Sequence, residues 1–567
     1  MPGFRRWGKS KFERNPESSF KLLAAIIVIT LYLLIKEFQH PTVRDRGTRS
    51  VQIQHAHWNG TGKAHETRAK SVRDAMRYTF WKYRENAWGC DDILPVSGGN
   101  STSRNGWGAF IVDSASTLAL MGLWDELAHS VEHILAIDFT ESTDLVDPFE
   151  TTIRYLGGLL SIVELYDAGL IPEDIVHIEA RDVILEHAVT LAVKLAPAYD
   201  TPSGMPWPRV DFDTEEGEPD PSFIFAEDAD KREYDHPAIG PARTGSSVLE
   251  NRVLTRLTGD AIYAQNATLA WAPLLWSKWA TPWAGMVDAP IDIMTGEPVG
   301  RSRHWDGGHD SYYEYLLKMT LLAPPADPHM DVYRKRFTDA AYSLREHLSS
   351  RSAPAPDHIM QHLFIGRQDD TQYENQQSHL ACFAPGTLLL ASKHYEQPYL
   401  RTFALALLEG CRHTYTSTPT NIGPESWSWI PKFSYDDPLY LPETTRQREE
   451  AITSGFWSTE PQYKGRPEYV ESLFYAWRIT GEQRYRDWAW EAFAAMEEHC
   501  KAPFGYAQLA DVYDTQTVGE SKWVDMQESY WAAETLKYLW LTFTDVEVAS
   551  LNSWVFSTEG HPFRMIR

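Results

Sequence analysis

Apolar side chains return every three to four residues through most of the sequence after residue 65, which is the spacing of α-helices with a buried face. Short strands are expected only in 201–235 and 414–431. The pattern therefore predicts an all-α chain with a few short β-strands. The segments with helical spacing are 66–86, 115–136, 152–167, 178–195, 310–322, 331–349, 386–395, 398–412, 468–480, 484–500 and 527–543.

Two turns share one pattern, Leu/Ile-Thr-Gly-Asp/Glu at 257–260 and 479–482, with a tyrosine three residues after each. Gly259 and Gly481 are expected to be left-handed residues that end helices. The similarity indicates a repeated helical hairpin, and such repeats stack into an open solenoid or a closed ring. Acidic residues from distant segments, described below, can meet only in a ring, so an (α/α) barrel is favoured.

The most apolar segment is near the N-terminus. Residues 22–35 contain no charge or proline, and as a helix they would rise about 21 Å against a hydrocarbon core of about 30 Å. Phe20 and Phe38 extend the segment, and Lys21 and Lys36 can reach the head groups. Basic residues precede it, which predicts a cytosolic N-terminus.

These features predict a cytosolic tail (1–21), a signal-anchor transmembrane helix (22–38), a luminal stem (39–65) and a catalytic domain (66–567). A cleaved signal peptide is the alternative, because an apolar core of this length is typical of one. The following residues, KEFQHP, lack the usual small-x-small cleavage site. Sequons at Asn59, Asn100 and Asn266 agree with a luminal body.

Composition narrows the function. The net charge of -25 argues against a nucleic-acid partner, because phosphate binding relies on Lys and Arg. The 22 Trp and 27 Tyr fit a large core and also a sugar-binding surface. The four cysteines form no CxxC pair, which argues against a cysteine zinc site and against a thioredoxin-type redox motif.

Candidate chemistry lies in four segments where carboxylates stand beside arginine or aromatic residues near helix starts. Glycoside hydrolysis needs two carboxyl groups flanking the scissile bond. For any single segment, helix capping is the favoured explanation, because the helix dipole favours acidic residues in a first turn; only the four segments together suggest a carbohydrate site. The segments are PFETTIR (148–154), GGHDSYYEY (307–315), GPE (423–425) and RPEYVES (466–472).

These segments resemble the class I α1,2-mannosidases, glycoside hydrolase family 47, which act on N-glycans in the endoplasmic reticulum and Golgi. The resemblance implies an (α/α)7 barrel, a Ca²⁺ cofactor and high-mannose N-glycans as substrates. It covers nearly all of the predicted luminal chain. The motifs that carry it are YRENAWGCDDILPVS, GWGAFIVDSASTLALMGL, FETTIRYLGGLLS, GHDSYYEYLLK, HLACFAPG, RPEYVESLFYAWRITG, AAETLKYLWLTF and VFSTEGHPF.

The resemblance also implies roles. Glu150 matches the acid that protonates the leaving oxygen, and Glu468 matches the base that activates water. Asp310 and Glu425 match further essential carboxylates, and Thr558 matches the calcium ligand, through its hydroxyl and carbonyl oxygens. The residues that match sugar-contacting or site-lining groups are Asp113, Arg154, Glu250, Glu314, His379, Arg466, Glu471, Tyr530, Glu534 and Glu559.

Cys382 and Cys411 stand where the family has its structural disulfide. Cys90 and Cys500 fall outside that pattern, and they either pair with each other, which is favoured, or remain free. Gly308 stands where family members that remove one particular mannose carry arginine. Its presence implies broader, Golgi-like trimming.

The resemblance therefore predicts a monomeric, single-pass type II enzyme of the Golgi or endoplasmic reticulum membrane that trims mannose with inversion. Two alternatives stay open. One is a mannosidase-like lectin of glycoprotein quality control with weak or no hydrolysis. The other is an (α/α)-barrel glycosidase or lyase that works without calcium.

Overall fold

The computed structural model describes residues 52–220, 237–279, 281–322, 327–432, 438–515 and 522–565. Its helices are α1 (Glu66–Asn86), α2 (Ala109–Met121), α3 (Trp124–Ile134), α4 (Pro148–Thr151), α5 (Gly157–Asp167), α6 (Ile178–Leu195), α7 (Pro241–Gly245), α8 (Val248–Thr258), α9 (Ile262–Leu275), α10 (Asp310–Leu322), α11 (Met330–Ser343), α12 (Ala384–His394), α13 (Pro398–Thr416), α14 (Thr445–Ser454), α15 (Glu468–Thr480), α16 (Arg484–His499) and α17 (Leu536–Phe543).

In the described part of the chain, seven inner helices each pack against an outer helix. The inner helices are α2, α5, α8, α10, α12, α15 and α17, and their outer partners are α3, α6, α9, α11, α13, α16 and α1. Each inner helix also contacts the next, and α17 with its preceding π-helical turn (Trp531–Thr535) contacts α2. The circle therefore closes into an (α/α) barrel.

Burial follows this arrangement. Helices α15 and α17 are buried along their whole length, because the barrel core lies on one side and the outer helix on the other. The outer helices α6 and α16 keep one face in solvent. Gly259 and Gly481 end α8 and α15 in the left-handed conformation, with φ of 79° and 73°, as predicted.

Some helix predictions needed correction. The predicted helix 115–136 is two helices, because Gly122 adopts a left-handed φ of 65° and ends α2. Three helical elements had no predicted segment, α7, α9 and α14, and α8 was foreseen only at its last turn. Helix α14 is mostly exposed and polar, so it lacks the apolar spacing that predicts a helix.

Short antiparallel strands connect the helices. A five-stranded sheet has the order β11-β10-β7-β6-β5 and a three-stranded sheet the order β12-β13-β14. The strands of two-stranded ladders are β1 (Asp92–Ile93), β2 (Asn100–Ser101), β3 (Arg209–Asp211), β4 (Glu216–Glu218), β8 (Ser349–Arg351), β9 (Leu363–Ile365), β15 (Lys501–Ala502), β16 (Gly505–Tyr506), β17 (Gln508–Leu509), β18 (Trp523–Val524), β19 (Trp554–Phe556) and β20 (Pro562–Arg564). Those of the larger sheets are β5 (Ala238–Ile239), β6 (Ala289–Asp292), β7 (Pro298–Arg303), β10 (Arg367–Asp369), β11 (Gln372–Glu374), β12 (Gln376–Ser378), β13 (Ser426–Ser428) and β14 (Trp457–Glu460).

The predicted strand regions contain β3, β4 and β13, whereas the five-stranded sheet was not foreseen. Most of these strands have two to four residues, too few for an alternating pattern to appear. The strands nevertheless position the site, because β12 leads directly into His379 and β13 directly follows Glu425.

The predicted tail and anchor (1–38) lie outside the described residues. Part of the predicted stem does not: Ile53 and Gln54 are buried, and their amides donate to Asn552 Oδ1 over 2.9 and 3.0 Å. The unit that carries the barrel thus begins at Gln52, before the stem boundary at 65. No helix within the described ranges is both long and apolar enough to cross a bilayer.

Cys382 and Cys411 form the expected disulfide, which ties the turn before α12 to α13. The favoured pairing of Cys90 with Cys500 is wrong, because both are free thiols. Cys90 lies in the turn after α1, while Cys500 is buried at the end of α16. Burial raises the pKa of the Cys500 thiol, which keeps it protonated and unreactive.

Candidate active site

A cavity of about 310 Å³ opens at the N-terminal ends of α4, α10 and α15. Carboxylates from segments hundreds of residues apart converge there, as the ring architecture requires. The predicted residues that line the cavity are Glu150, Arg154, Asp310, Glu314, Arg466, Glu468, Glu471, Tyr530, Glu534, Thr558 and Glu559.

Glu150 is held in the first turn of α4. Asp147 Oδ1 accepts hydrogen bonds from the amides of Phe149 and Glu150 (3.0 and 3.3 Å), which fixes the start of the helix. Arg154 Nε donates to Glu150 Oε2 over 2.8 Å, one turn along. Burial pushes the pKa of Glu150 upward, but Arg154 and Arg104 outweigh it and hold that pKa below its ordinary value. Glu150 is therefore ionised in this state.

Asp310 is the first residue of α10. Its Oδ1 accepts the Ser311 amide over 2.8 Å. Burial, together with the nearby charges of Asp306, Glu314 and Glu468, raises the pKa of Asp310 to about 7, although the Ser311 amide works to lower it. Asp310 can thus hold a proton near neutral pH.

Glu468 begins α15 and belongs to a hydrogen-bonded chain. His379 Nδ1 lies 2.6 Å from Glu468 Oε2, and His379 Nε2 lies 2.7 Å from the Tyr415 hydroxyl. Because a carboxylate accepts, Nδ1 carries the proton and Nε2 accepts from Tyr415. His379 is thus behind Glu468 and does not line the cavity, where a sugar-contacting residue was expected.

Glu425 also lies behind the residues that line the cavity, where it contacts Arg466. Its carboxylate accepts from Arg466 Nε over 2.7 and 2.9 Å, and Lys464 Nζ is 3.4 Å away. Burial favours a higher pKa for Glu425, but Arg466 keeps it below the ordinary value. The Tyr530 ring lies between the guanidinium groups of Arg154 and Arg466, 5.8 and 5.9 Å from its centroid. Glu425 therefore orients an arginine that faces the cavity.

The floor of the cavity is acidic and buried. Burial and neighbouring carboxylates raise the pKa of Glu471 and Glu534 well above the ordinary range, and raise that of Glu559 to about 8. Arg154 Nη1 donates to Glu559, and Lys318 Nζ donates to Glu314. Lys537 is a third buried cation nearby, and its Nζ donates to the Gly560 carbonyl oxygen over 2.6 Å. The carboxyl groups of Glu314, Glu471, Glu534 and Glu559 still outnumber these three cations.

Thr558 stands beside this floor. Its amide donates to the Tyr315 hydroxyl over 3.2 Å, and that hydroxyl donates to Glu250 Oε1 over 2.6 Å. Glu250 is therefore a support below Thr558 instead of a lining group, and burial raises its pKa to about 8. The hydroxyl, carbonyl and carboxylate oxygens here match the hard donors that Ca²⁺ prefers.

Asp113 is fully buried behind Arg154. Its carboxylate accepts from Ser529 Oγ, lies 3.5 Å from Arg154 Nη1 and lies 3.2 Å from His561 Nε2. Burial works to raise the pKa of Asp113, but these partners hold it below the ordinary value. Asp113 fixes the arginine that contacts Glu150 and Glu559.

A model of glycosyl hydrolase family 47 matches residues 75–565. The chain belongs to glycosyl hydrolase family 47. The family resemblance of the sequence motifs is thereby confirmed, and the protein is a glycoside hydrolase.

Curated relatives of this family 47 chain match almost end to end. A probable mannosyl-oligosaccharide alpha-1,2-mannosidase 1B of Aspergillus clavatus is 37% identical over 512 residues, 88% of this chain and 93% of the relative. The mannosyl-oligosaccharide alpha-1,2-mannosidase of Penicillium citrinum is 35% identical and covers 89% and 93%. The solved alpha-1,2-mannosidase from Trichoderma reesei is 32% identical, with a TM-score of 0.79, covering 89% of this chain and all of that one.

The family 47 chain also has lining residues that sequence reasoning missed. Phe149, Leu380 and Phe383 give the cavity apolar faces, and Arg243 adds a cation that pairs with Asp147 over 2.9 Å. Arg104 lies 3.8 Å from Glu150. Arg104 stands just before the GWGAF motif and Phe149 beside Glu150, and these neighbours were the available signals.

Proposed function

We propose that this protein hydrolyses terminal α1,2-linked mannose from high-mannose N-glycans, with inversion and with Ca²⁺ as cofactor. The names of the relatives support the linkage and the substrate. One observation carries the proposal: Glu150, Asp310 and Glu468 line one cavity above the acidic floor beside Thr558. The alternative lectin would need the same cavity but not the full carboxylate set.

Glu468 is proposed as the base. The proton on His379 Nδ1 points at its carboxylate, which keeps Glu468 an acceptor that can receive a proton from water. That water then adds to the anomeric carbon as the glycosidic bond breaks, and the leaving oxygen takes a proton from an acid on the other face.

Two carboxyl groups compete for the role of acid. The sequence resemblance assigns it to Glu150, yet the arginine pairs of Glu150 favour its ionised form. Asp310, with a pKa of about 7, is the better proton carrier in this state. We therefore assign the proton to Asp310, and Glu150 to charge stabilisation and sugar positioning.

Ca²⁺ fits the floor because crowded, buried carboxylates with raised pKa values are stabilised in their ionised form by a cation. Thr558 would bind it directly, and Glu471, Glu534 and Glu559 would supply the surrounding negative charge. A bound Ca²⁺ supplies electrostatic attraction for sugar hydroxyl groups.

Broad trimming is proposed from Gly308. Its φ of 96° is strained for any other residue, and a Cβ there would meet no atom within 4 Å. The space above it is therefore open to more than one glycan branch. A digest of the nine-mannose glycan that stalled after one mannose would contradict this.

A type II membrane enzyme with a luminal domain in the Golgi or endoplasmic reticulum remains part of the proposal, supported by the sequence of residues 1–38. Of the three sequons, Asn59 and Asn100 are exposed, while Asn266 is half-buried within α9. Glycosylation is expected at the first two. Mass spectrometry of the protein from the secretory fraction checks this: the peptides that contain Asn59 and Asn100 should carry a glycan that an endoglycosidase removes.

The direct test is digestion of a nine-mannose glycan with and without a chelator, with products separated by mass. Mannose release that stops with chelator and returns with Ca²⁺ supports the proposal. Glycan binding without release would indicate the lectin, and release indifferent to chelation would indicate the calcium-free glycosidase.

A further inference from the structure

Three histidines form a cluster outside the active-site cavity. His358 and His362 belong to the loop between β8 and β9, and His413 lies in the last turn of α13. Each offers one ring nitrogen, and these nitrogens all lie within 4.8 Å of one another. None of the three lines the cavity. The cluster is therefore a second group of potential metal ligands, and its donor atoms are nitrogens, whereas those of the cavity floor are oxygens.

The closest pair has a spacing suited to a metal. His358 Nε2 and His362 Nε2 are 3.1 Å apart. Two nitrogens bound to one ion at about 2.0–2.1 Å lie about 2.8–3.0 Å apart in octahedral geometry and about 3.3–3.4 Å apart in tetrahedral geometry. The separation of the pair is therefore within about 0.2 Å of the value that one shared cation requires.

His413 has an outer partner of the kind that metal-binding histidines have. Its Nε2 lies 2.7 Å from the Ser454 carbonyl oxygen. A carbonyl only accepts, so Nε2 carries the proton and Nδ1 keeps its lone pair. That lone pair is 3.1 Å from the Ser417 hydroxyl, which can donate to it until a cation replaces the contact.

The rings of His362 and His413 are neutral at physiological pH, as metal ligands must be. Burial lowers the pKa of His362 to about 3, and the neighbouring His413, His358 and Arg351 lower it in the same direction. Burial also lowers the pKa of His413 to about 4. Protons therefore do not compete for the nitrogens of these two residues above mildly acidic pH.

We propose that His358, His362 and His413 bind one divalent cation of the zinc class, distinct from the oxygen-lined floor. Imidazole nitrogen suits Zn²⁺, Cu²⁺ or Ni²⁺, whereas Ca²⁺ takes oxygen ligands. Three ligands leave a position for water. A bound ion would fasten the β8–β9 loop to the ends of α13 and α14.

Binding requires a local rearrangement. The three rings are stacked on one another: His362 and His413 are 3.7 Å apart and 5° from parallel, and His358 is 4.5 Å from His413 at 21°. A ring nitrogen holds its lone pair in the ring plane, so His358 and His362 must both turn about their Cβ–Cγ bonds to aim at an ion beside His413. The loop permits this, because His358 and His362 are half-buried and the intervening Ile359 is 81% exposed.

The test uses the full chain, stripped by chelator and titrated with Zn²⁺ while excess Ca²⁺ protects the acidic floor. One tight equivalent is expected, with a higher melting temperature. Because each variant deletes a ligand, H358A and H362A should weaken that equivalent at least about tenfold. The control H177A removes an exposed histidine next to α6 and should leave it unchanged.

Unchanged Zn²⁺ affinity in both H358A and H362A would overturn the proposal, since the zinc would then be bound elsewhere. Cobalt(II) gives a second readout that does not depend on stability. Wild type and H177A should show the intense visible absorption of a low-coordinate nitrogen site, and H358A should lose it. Absence of that absorption in wild type would also overturn the proposal.

Discussion

The carboxylates of the cavity wall, which includes Glu150 and Glu468, differ in their surroundings from those of the floor, which includes Glu471, Glu534 and Glu559. Glu150 in the wall, and Glu425 directly behind the wall, each face an arginine, and their pKa values are lowered. On the floor, Glu471 and Glu534 face mainly other carboxylates, and their pKa values are raised well above the ordinary range. An acid paired with arginine keeps its negative charge, whereas the crowded acids of the floor hold protons more readily, and the proposed Ca²⁺ would favour their ionised form.

Arg154 shows how far one buried arginine can balance the negative charge of several carboxylates. One guanidinium serves Glu150, Asp113 and Glu559 together. The pKa of Glu559 still rises to about 8, because burial and the other carboxylates outweigh the shared cation. This difference supports the proposal that the wall carries the chemistry and that the floor holds a metal ion.

The largest effect is expected for E468Q, which removes the proposed base from the wall. The turnover number should fall about 10³-fold, since general-base catalysis contributes on the order of 10²–10⁴. Glycan affinity should persist, because the amide keeps the shape of the side chain. Turnover and inhibitor binding measured together check this, with the exposed Glu132→Gln as control. Equal loss of binding would make Glu468 a structural residue.

D310N should come next, with a loss of about 10² in turnover. If Asp310 donates the proton, wild-type activity falls as pH rises through about 7, where this carboxyl ionises. D310N should lose that alkaline limb in a plot of turnover against pH. E150Q should retain it. The reverse result would return the acid role to Glu150.

Stability should depend on pH in the calcium-free protein. Glu250 and Glu559 have folded pKa values near 8 against an ordinary 4.5, so the stability they contribute is present below about pH 4.5 and is lost as pH rises towards 8. The melting temperature in chelator should therefore fall between about pH 5 and 8.

Ca²⁺ should restore more of this stability at the upper end of that range, where the floor is ionised. E559Q should flatten the calcium-free slope, since an amide does not titrate. If Ca²⁺ raised the melting temperature equally at about pH 5 and at about pH 8, its binding would not depend on the ionisation of the floor carboxylates.

The smallest effect is expected for Y415F, which acts through His379. Loss of the hydroxyl frees the His379 ring to turn, and turnover should fall about tenfold or less. As a positioning residue, Tyr415 should affect kcat more than KM, because it changes the contact of His379 with Glu468 and not the binding of the glycan. A change in melting temperature alone, with an unaltered kcat, would contradict this.

Sequence reasoning succeeded where a role follows from local position. Glu150 and Glu468 stand in first helical turns beside arginines, and both line the cavity. The sequence could not reveal which side chains lie behind the residues that line the cavity. His379 meets Tyr415 and Glu468 through contacts 36 and 89 residues away, and no local pattern records them.

The elements of the fold also differ in how well the sequence predicts them. Inner helices buried on every side have long apolar runs that predict them, whereas α14 and the short strands depend on tertiary contacts. The free state of Cys90 and Cys500 likewise follows from where α1 and α16 end, which spacing cannot reveal.

The most direct measurement follows mannose release from a nine-mannose glycan by proton NMR, for wild type and T558A, in Ca²⁺ and in chelator. Wild type should release mannose as the β-anomer first, and only with Ca²⁺. T558A should need a much higher Ca²⁺ concentration for the same rate. Equal wild-type rates in chelator and in Ca²⁺ would contradict the claim that the floor carboxylates require a cation for catalysis.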